Sequence, residues 1–371
     1  MNKLFLPLIV FGAVLFLASC GKTKSSDNPL DKIRKEAVFI ANDNNTIISY
    51  DANNGNKLWE ITTKGIVAGS PAFYKEKLFA LTQTGYLYSI DVVKGDTNWM
   101  KYTPTSTSNS LAIANDKIYI AADSLYCYDI NGNKLWTYYA ASMPCQSSPQ
   151  VVNDKVFFSI NDNSIHCVNA NNGIGIWISP TAPNAVFSSL KVSNGVVYYG
   201  CEDSKVYAIN ESDGSPKWNY TTGDKVSSSP TVYGGMCIIG SDDFKIHCID
   251  TTTGLERWTY ATLERVKSSP AIHEFTNSVL IGSYDFNLYC IDHVSGTLRW
   301  KYPAGSLIKT SPVVFGNYVY FCSYDRYLYC VDVRDGRTIW KQFMNGNTQS
   351  SPVVDDLSNG IHATISGMSQ Y

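Results

Sequence analysis

The chain has 371 residues, of which 44% are apolar and 17% charged, so it is long and apolar enough to bury a large core. Thirty Lys and Arg stand against 32 Asp and Glu, a formal charge of −2. That near-balance excludes a basic nucleic-acid footprint and an acidic interaction tail.

Residues 1–19 are a separate object. Lys3 gives a basic start, an uncharged apolar run of 14 residues extends from Leu4 to Leu17, and Ala18-Ser19-Cys20-Gly21 follows. Fourteen residues are too few to span a bilayer comfortably, and small residues before a cysteine suit cleavage. The pattern resembles a bacterial lipobox, which implies a signal peptide over 1–19 and a mature chain that begins at acylated Cys20. A plain secretory leader and a membrane helix are the rival readings. Several acyl chains hold a protein to a membrane far more firmly than one, so Cys20 is the expected membrane anchor. Residues 20–36 are then a polar, lipid-anchored tether, which extends to at most about 55 Å.

From residue 37 onward the chain repeats. Trp59, Trp99, Trp136, Trp177, Trp218, Trp258, Trp300 and Trp340 stand 37 to 42 residues apart, each four residues after a glycine. An Asp or Asn precedes each of those glycines by three or four residues, from Asp51 in the first unit to Asp332 in the last. Short apolar runs flank this turn, for example 245–249 before it and 255–260 after it. Asp and Asn cap turns and Gly takes positive φ at little cost, so each unit contains a hairpin. Upstream lies Ser-Pro with two or three apolar residues, as at Ser229-Pro230, Ser269-Pro270 and Ser311-Pro312, and then a further apolar run. Proline fits the first residue of a strand, where no ladder donor is lost. Four short strands per unit, eight units and no helical period predict an all-β, eight-bladed β-propeller over residues 37–371.

The ends predict how the ring closes. The first unit begins at Ala37 without a Ser-Pro strand, and Ser351-Pro352 supplies one after the last tryptophan. The N- and C-terminal strands should therefore share a blade, which removes two exposed edges. The segment 361–366 competes with 37–42 for the place beside that strand, and the sequence leaves the choice open.

The turn-and-tryptophan motif, as in Asp250-Thr-Thr-Thr-Gly254-Leu-Glu-Arg-Trp258, resembles the repeat of the PQQ-like β-propeller family. The resemblance spans residues 37 to about 356. It implies that the Trp of one blade docks on the turn of its neighbour, which makes the motif a staple rather than an active site. It also raises the reading of a PQQ-dependent dehydrogenase using Ca²⁺. Such enzymes are implied to carry adjacent cysteines and blade insertions; neither is present here, nor is a Cys-x-x-Cys-His haem motif.

Repetition disposes of most other candidates. Cys127, Cys167, Cys248, Cys290 and Cys330 occupy one slot, which other units fill with Ser49, Ser89 and Ala208. Equivalent slots on packed sheets lie about 10 Å apart, too far for a disulfide, so the slot reads as small-residue packing. His166 and His247 replace tyrosines of the other units, and His273, His293 and His362 are isolated from other ligand types. No catalytic, cofactor-binding or metal-binding residue is assigned, and no cofactor is expected.

Function is expected where the period breaks. Strands alternate in direction, so the loops between second and third strands share one face with the loops that enter Ser-Pro. On blades six to eight these carry Phe244, Tyr284, Phe286, Tyr324 and Tyr327 beside charges, the composition of an interface anchor. The competing reading gives the Asp residues a turn role and lays the rings on neighbouring loops. A lipid-anchored propeller of this size is also similar to the scaffold lipoproteins of the outer-membrane β-barrel assembly machinery. That resemblance implies a non-catalytic scaffold with a protein partner, an outer-membrane location and no nucleic acid; it supplies no partner-binding residue. A surface lipoprotein that binds glycan or protein is the remaining alternative.

Overall fold

Residues 34–140 and 143–357 are described by the computed structural model. The leader, Cys20 and the first part of the tether lie outside the described residues, as does the segment 361–366. Thirty-two strands form eight four-stranded antiparallel sheets arranged as the blades of a propeller. Blade six is typical: Thr231–Tyr233, Met236–Gly240, Lys245–Asp250 and Glu256–Ala261 pair in that order, and the first strand meets the first strands of its neighbours.

Blade one is made from both ends of the ring. Val353–Asp355 pairs with Ala37–Asn42 in the register Ala37↔Asp355, Val38↔Val354, Phe39↔Val353. Thr46–Asp51 and Lys57–Thr62 complete the sheet. Residues 37–42 therefore hold the place that the sequence left open. Arg34 clasps the seam: its Nε and Nη2 donate to the two carboxylate oxygens of Asp355 at 2.7 and 2.5 Å. Asp355 is fully buried, so this pairing satisfies a charge that water cannot reach.

Apolar faces meet between blades rather than at one centre. Phe39 of blade one stacks on Phe73 of blade two at 6.4 Å, and Val38 and Ile40 pack with Tyr320 and Leu328 of blade eight on the other side. The tryptophans lie on the fourth strands and reach the next blade. Trp218 donates its indole N–H to the carbonyl of Thr251 at 2.9 Å, and Trp340 reaches Ala52 at 3.0 Å to join blade eight to blade one.

The glycine of each turn meets two demands at once. All eight have φ between 72° and 76°, and a Cβ there would lie 2.6–2.8 Å from the docked indole. At Gly254, for example, any side chain would strain the backbone and collide with Trp218.

Two staples differ. The indole nitrogens of Trp99 and Trp136 are buried without a hydrogen-bond partner among the described residues. Trp99 docks on the turn Asp129 to Gly132, one residue shorter than the others, and the glycine there faces the far edge of the ring (Cη2, Cζ3) instead of its middle. For Trp136 the corresponding carbonyl, Ala170, accepts the Tyr119 hydroxyl at 3.1 Å.

The register also explains the small slot. Cys127, Cys167, Cys248, Cys290 and Cys330 each lie directly opposite a tryptophan on the fourth strand, as do Ser49, Ser89 and Ala208. A bulge follows at once in every blade. The nine described cysteines are buried as free thiols, and burial pushes Cys127, Cys167, Cys248 and Cys330 up to about 12, which removes their thiolate reactivity at neutral pH.

A collar of serines encircles the channel where the first strands begin. The backbone N–H of Ser189 donates to Ser229 Oγ, and the relay continues through Ser269, Ser311, Ser351, Ser70 and Ser110 to Ser148, at 2.9–3.1 Å per bond. The serine at the start of the first strand, followed by Pro in six blades and by Leu at Ser110 and Ser189, thus ties seven of the eight blade junctions on the inside, as the Trp does on the outside.

Candidate functional site

In seven of the eight blades the loop between second and third strands places one residue in the left-handed region, and its carbonyl accepts an amide just after the fourth strand; blade three has a shorter turn without one. Thr262 N donates to Phe244 O at 2.8 Å, Ala304 N to Phe286 O at 2.8 Å and Met344 N to Arg326 O at 2.9 Å. Blades one, two, four and five fill that position with Asn45, Gly85, Asn163 and Ser204, residues that are small or form local hydrogen bonds. Blades six, seven and eight fill it with Phe244, Phe286 and Arg326, at φ 68°, 72° and 69°. Left-handed geometry costs an L-residue roughly 1–2 kcal/mol, and a bulky ring does nothing to offset it locally.

Both phenylalanines face solvent, Phe244 at 41% and Phe286 at 48% exposure, so burial offsets that strain only in part. The preceding aspartates fix the turns that carry these residues. Asp285 accepts from Tyr289 Oη at 2.6 Å and from Leu263 N at 3.0 Å; Asp325 accepts from Tyr329 Oη at 2.5 Å and from Gly305 N at 2.8 Å. Asp243 is bound by His247 Nε2 at 3.0 Å and by Gly223 N at 2.7 Å. Burial alone would raise the Asp243 carboxyl, yet the His247 hydrogen bond and its companions hold it below the usual range. The Asp residues therefore do serve the turns, and His247 is part of the same lock.

The remaining candidates divide. Tyr284 and Tyr324 are half-buried near one another at the inner end of this face, and burial, then the neighbouring Tyr324 and Asp242, pushes the Tyr284 phenol up to about 12. Tyr327 is taken up internally: its ring meets Phe343 at 5.4 Å and Tyr329 at 6.0 Å, with Lys341 Nζ 5.0 Å above it. The structure thus brings Phe244, Phe286, Tyr284 and Tyr324 to one face and directs Tyr327 sideways into blade eight.

Sequence reasoning passed over a second apolar surface. The fourth strand of blade four, Gly175–Ile178, is an outer edge, and Ile174, Ile176 and Ile178 are 65%, 45% and 57% exposed. Every other fourth strand carries a guarding charge: Lys57, Lys101, Lys134, Lys217, Arg257, Arg299 or Lys341. The alternation of isoleucine at three slots that other units mostly leave polar was the available signal.

A family profile described as "Outer membrane protein assembly factor BamB" matches residues 24–122, 105–225 and 275–363. Among solved structures, BamB from Moraxella catarrhalis superposes with a TM-score of 0.63 at 17% identity, covering 75% of this chain and 88% of that one. The computationally designed Ika8 protein gives 0.70 at 15% identity, over 82% and 93%. The quinohemoprotein alcohol dehydrogenase ADHIIG from Pseudomonas putida HK5 gives 0.63 at 13% identity, over 76% and 68%. At such identities the likeness is one of fold. No curated protein matches the sequence. The residues here do not fit a quinone held beside calcium. Among the described residues no group of three or more His, Cys, Asp or Glu could hold a metal ion, and the channel mouth is lined by Ser, Thr, Gln and Lys.

Proposed function

Because the chain belongs to the family of the outer membrane protein assembly factor BamB, we propose that it is a non-catalytic scaffold of the cell envelope, anchored through acylated Cys20, which holds a protein partner on the face of blades six to eight. The proposed location is the outer membrane and the proposed partner class a β-barrel assembly complex. The observation that carries the binding face is the pair of exposed phenylalanines at positive φ. A ring left nearly half exposed on a strained backbone is what contacts outside the chain would explain. Tyr284 and Tyr324 extend the same surface inward.

The test is a double substitution, Phe244→Asn with Phe286→Asn, made in the full-length chain. Asparagine suits the left-handed position, so stability should hold or rise by about 1 kcal/mol per site. Cross-linking in intact cells should then lose the partner that the unsubstituted protein recovers. Undiminished recovery would refute the face. Cys20→Ala, which should move the protein from the membrane to the soluble fraction, tests the anchor separately.

A further inference from the structure

The mouth of the central channel opens on the same face. A cavity of about 170 Å³ lies there, ringed by collar serines and topped by Lys267, Lys309 and Gln349. At roughly 30 Å³ per water it has room for five or six waters, or for one small hydrated ion in their place.

The cavity is supplied with unspent donors. Five of the collar hydroxyls that line it, Ser70, Ser110, Ser148, Ser311 and Ser351, accept a backbone N–H from the neighbouring blade, and none donates its own proton to another described residue. Those protons remain for whatever fills the channel. Above them, Lys267 and Lys309 occupy the slot two residues before the collar serine in blades seven and eight, where the other blades place Ala68, Ser108, Gln146, Phe187, Ser227 and Gln349. Lys267 has a carboxylate, Asp242, at 3.2 Å. Lys309 has none among the described residues; its Nζ donates to the uncharged Gln349 Oε1 at 3.3 Å. Burial, and then the adjacent charge of Lys267, holds the Lys309 ammonium below its usual range, the condition that a bound anion relieves.

We infer that the channel mouth binds a single small oxyanion, a phosphate or a carboxylate, between Lys309 and the hydroxyls of the serine collar. The collar supplies several neutral donors and Lys309 one uncompensated charge, a combination that selects a compact multi-oxygen anion over chloride. The ligand is distinct from the protein partner of the outer rim, and neither depends on the other.

Titration of the full-length protein with inorganic phosphate, at ionic strength held constant with chloride, tests this by calorimetry and by thermal midpoint. Phosphate stabilises proteins in general by exclusion from their surface, so the Lys309→Gln variant sets the baseline. A saturable response is expected in the unsubstituted protein, with affinity at least tenfold weaker in Lys309→Gln and restored in Lys309→Arg. An unchanged midpoint of Lys309→Gln without phosphate shows that the variant is folded. Displacement of phosphate by acetate assigns the site to carboxylates as well, and failure of displacement to tetrahedral oxyanions. Saturable binding of equal strength in Lys309→Gln, or no response above its baseline, overturns the inference.

Discussion

Trp340 and Trp99 occupy the same slot in two blades, yet replacing each with phenylalanine should give opposite hydrogen-bond consequences. Both substitutions keep a six-membered ring and lose similar apolar area. At Trp340 the change also deletes the bond from Nε1 to Ala52 O, 3.0 Å long. That carbonyl keeps the Tyr320 hydroxyl at 3.0 Å, so no acceptor is stranded and the specific loss stays near the net value of about 1 kcal/mol. At Trp99 the change deletes a buried donor that has no partner among the described residues. Removing it regains a desolvation cost of about 1–3 kcal/mol. Trp340→Phe should therefore be the more destabilising by roughly 2–4 kcal/mol. Urea midpoints followed by far-UV circular dichroism read the difference, with Trp136→Phe expected to group with Trp99→Phe and Trp218→Phe with Trp340→Phe. Equal costs for the two groups, or a larger cost at Trp99, would refute the assignment of these staples.

Gly296→Ala places a Cβ 2.7 Å from Trp258 and should cost several kcal/mol, whereas Gly195→Ala, also at positive φ but with nothing within 4 Å, should cost only the roughly 1–2 kcal/mol of the backbone; comparable midpoints would remove the staple from the explanation. Acid should loosen the turns. Arg257 holds Asp250 below the ordinary carboxylate range, the Ser295 amide and then Arg299 do the same for Asp292, and Arg334 brings Asp332 to about 2. Folded values below the unfolded value of about 3.9 mean that this stability is complete above about pH 4 and is lost as pH falls toward 2. The thermal midpoint should drop across that window, and less so in Asp332→Asn; a flat profile contradicts the pairing. Tyr327→Ser should lower the midpoint by several degrees through lost contact with Phe343 and Tyr329, while Phe286→Ser should not, and equal shifts would return Tyr327 to the candidate surface.

The architecture was legible because one physical demand, an indole docked on a glycine turn, recurs with every blade and leaves a countable period. Closure was legible for a related reason: a unit lacking its Ser-Pro strand at one end and a spare one at the other can only be completed together. The small slot opposite the tryptophan was visible as Cys, Ser or Ala, though its cause needed the register. The face was harder to read. Phe244 and Phe286 looked like exposed aromatics, but their strain emerges only when they are set beside Asn45, Gly85, Asn163 and Ser204, which show what backbone that position requires. Tyr327, one residue beyond Arg326, belongs to a strand whose side chain turns into the blade, and composition does not reveal that. The unpaired Trp99 was foreshadowed by the three-residue spacing of Asp129 and Gly132, whereas nothing in the sequence marks Trp136: the Tyr119 hydroxyl on Ala170 O does not explain it, because Ala52 O accepts Tyr320 and Trp340 together.

The seam in blade one has a consequence for the order in which this protein can be finished. Ala37 pairs with Asp355, so the first blade waits for more than 300 further residues before its edge is covered. Blades two to eight are each built from contiguous chain and can form as their residues arrive, but a closed ring cannot exist until its final strand does. Closing so long a loop carries a chain-entropy cost that grows with the logarithm of its length, and contacts of such separation slow folding. During that interval the edge at Val38, beside the apolar residues of blade eight, is the surface most open to pairing with the wrong strand. A chain truncated before Val353 would keep seven complete blades and still behave as an unfinished one, vulnerable to proteolysis and to capture by whatever guards nascent chains in its compartment.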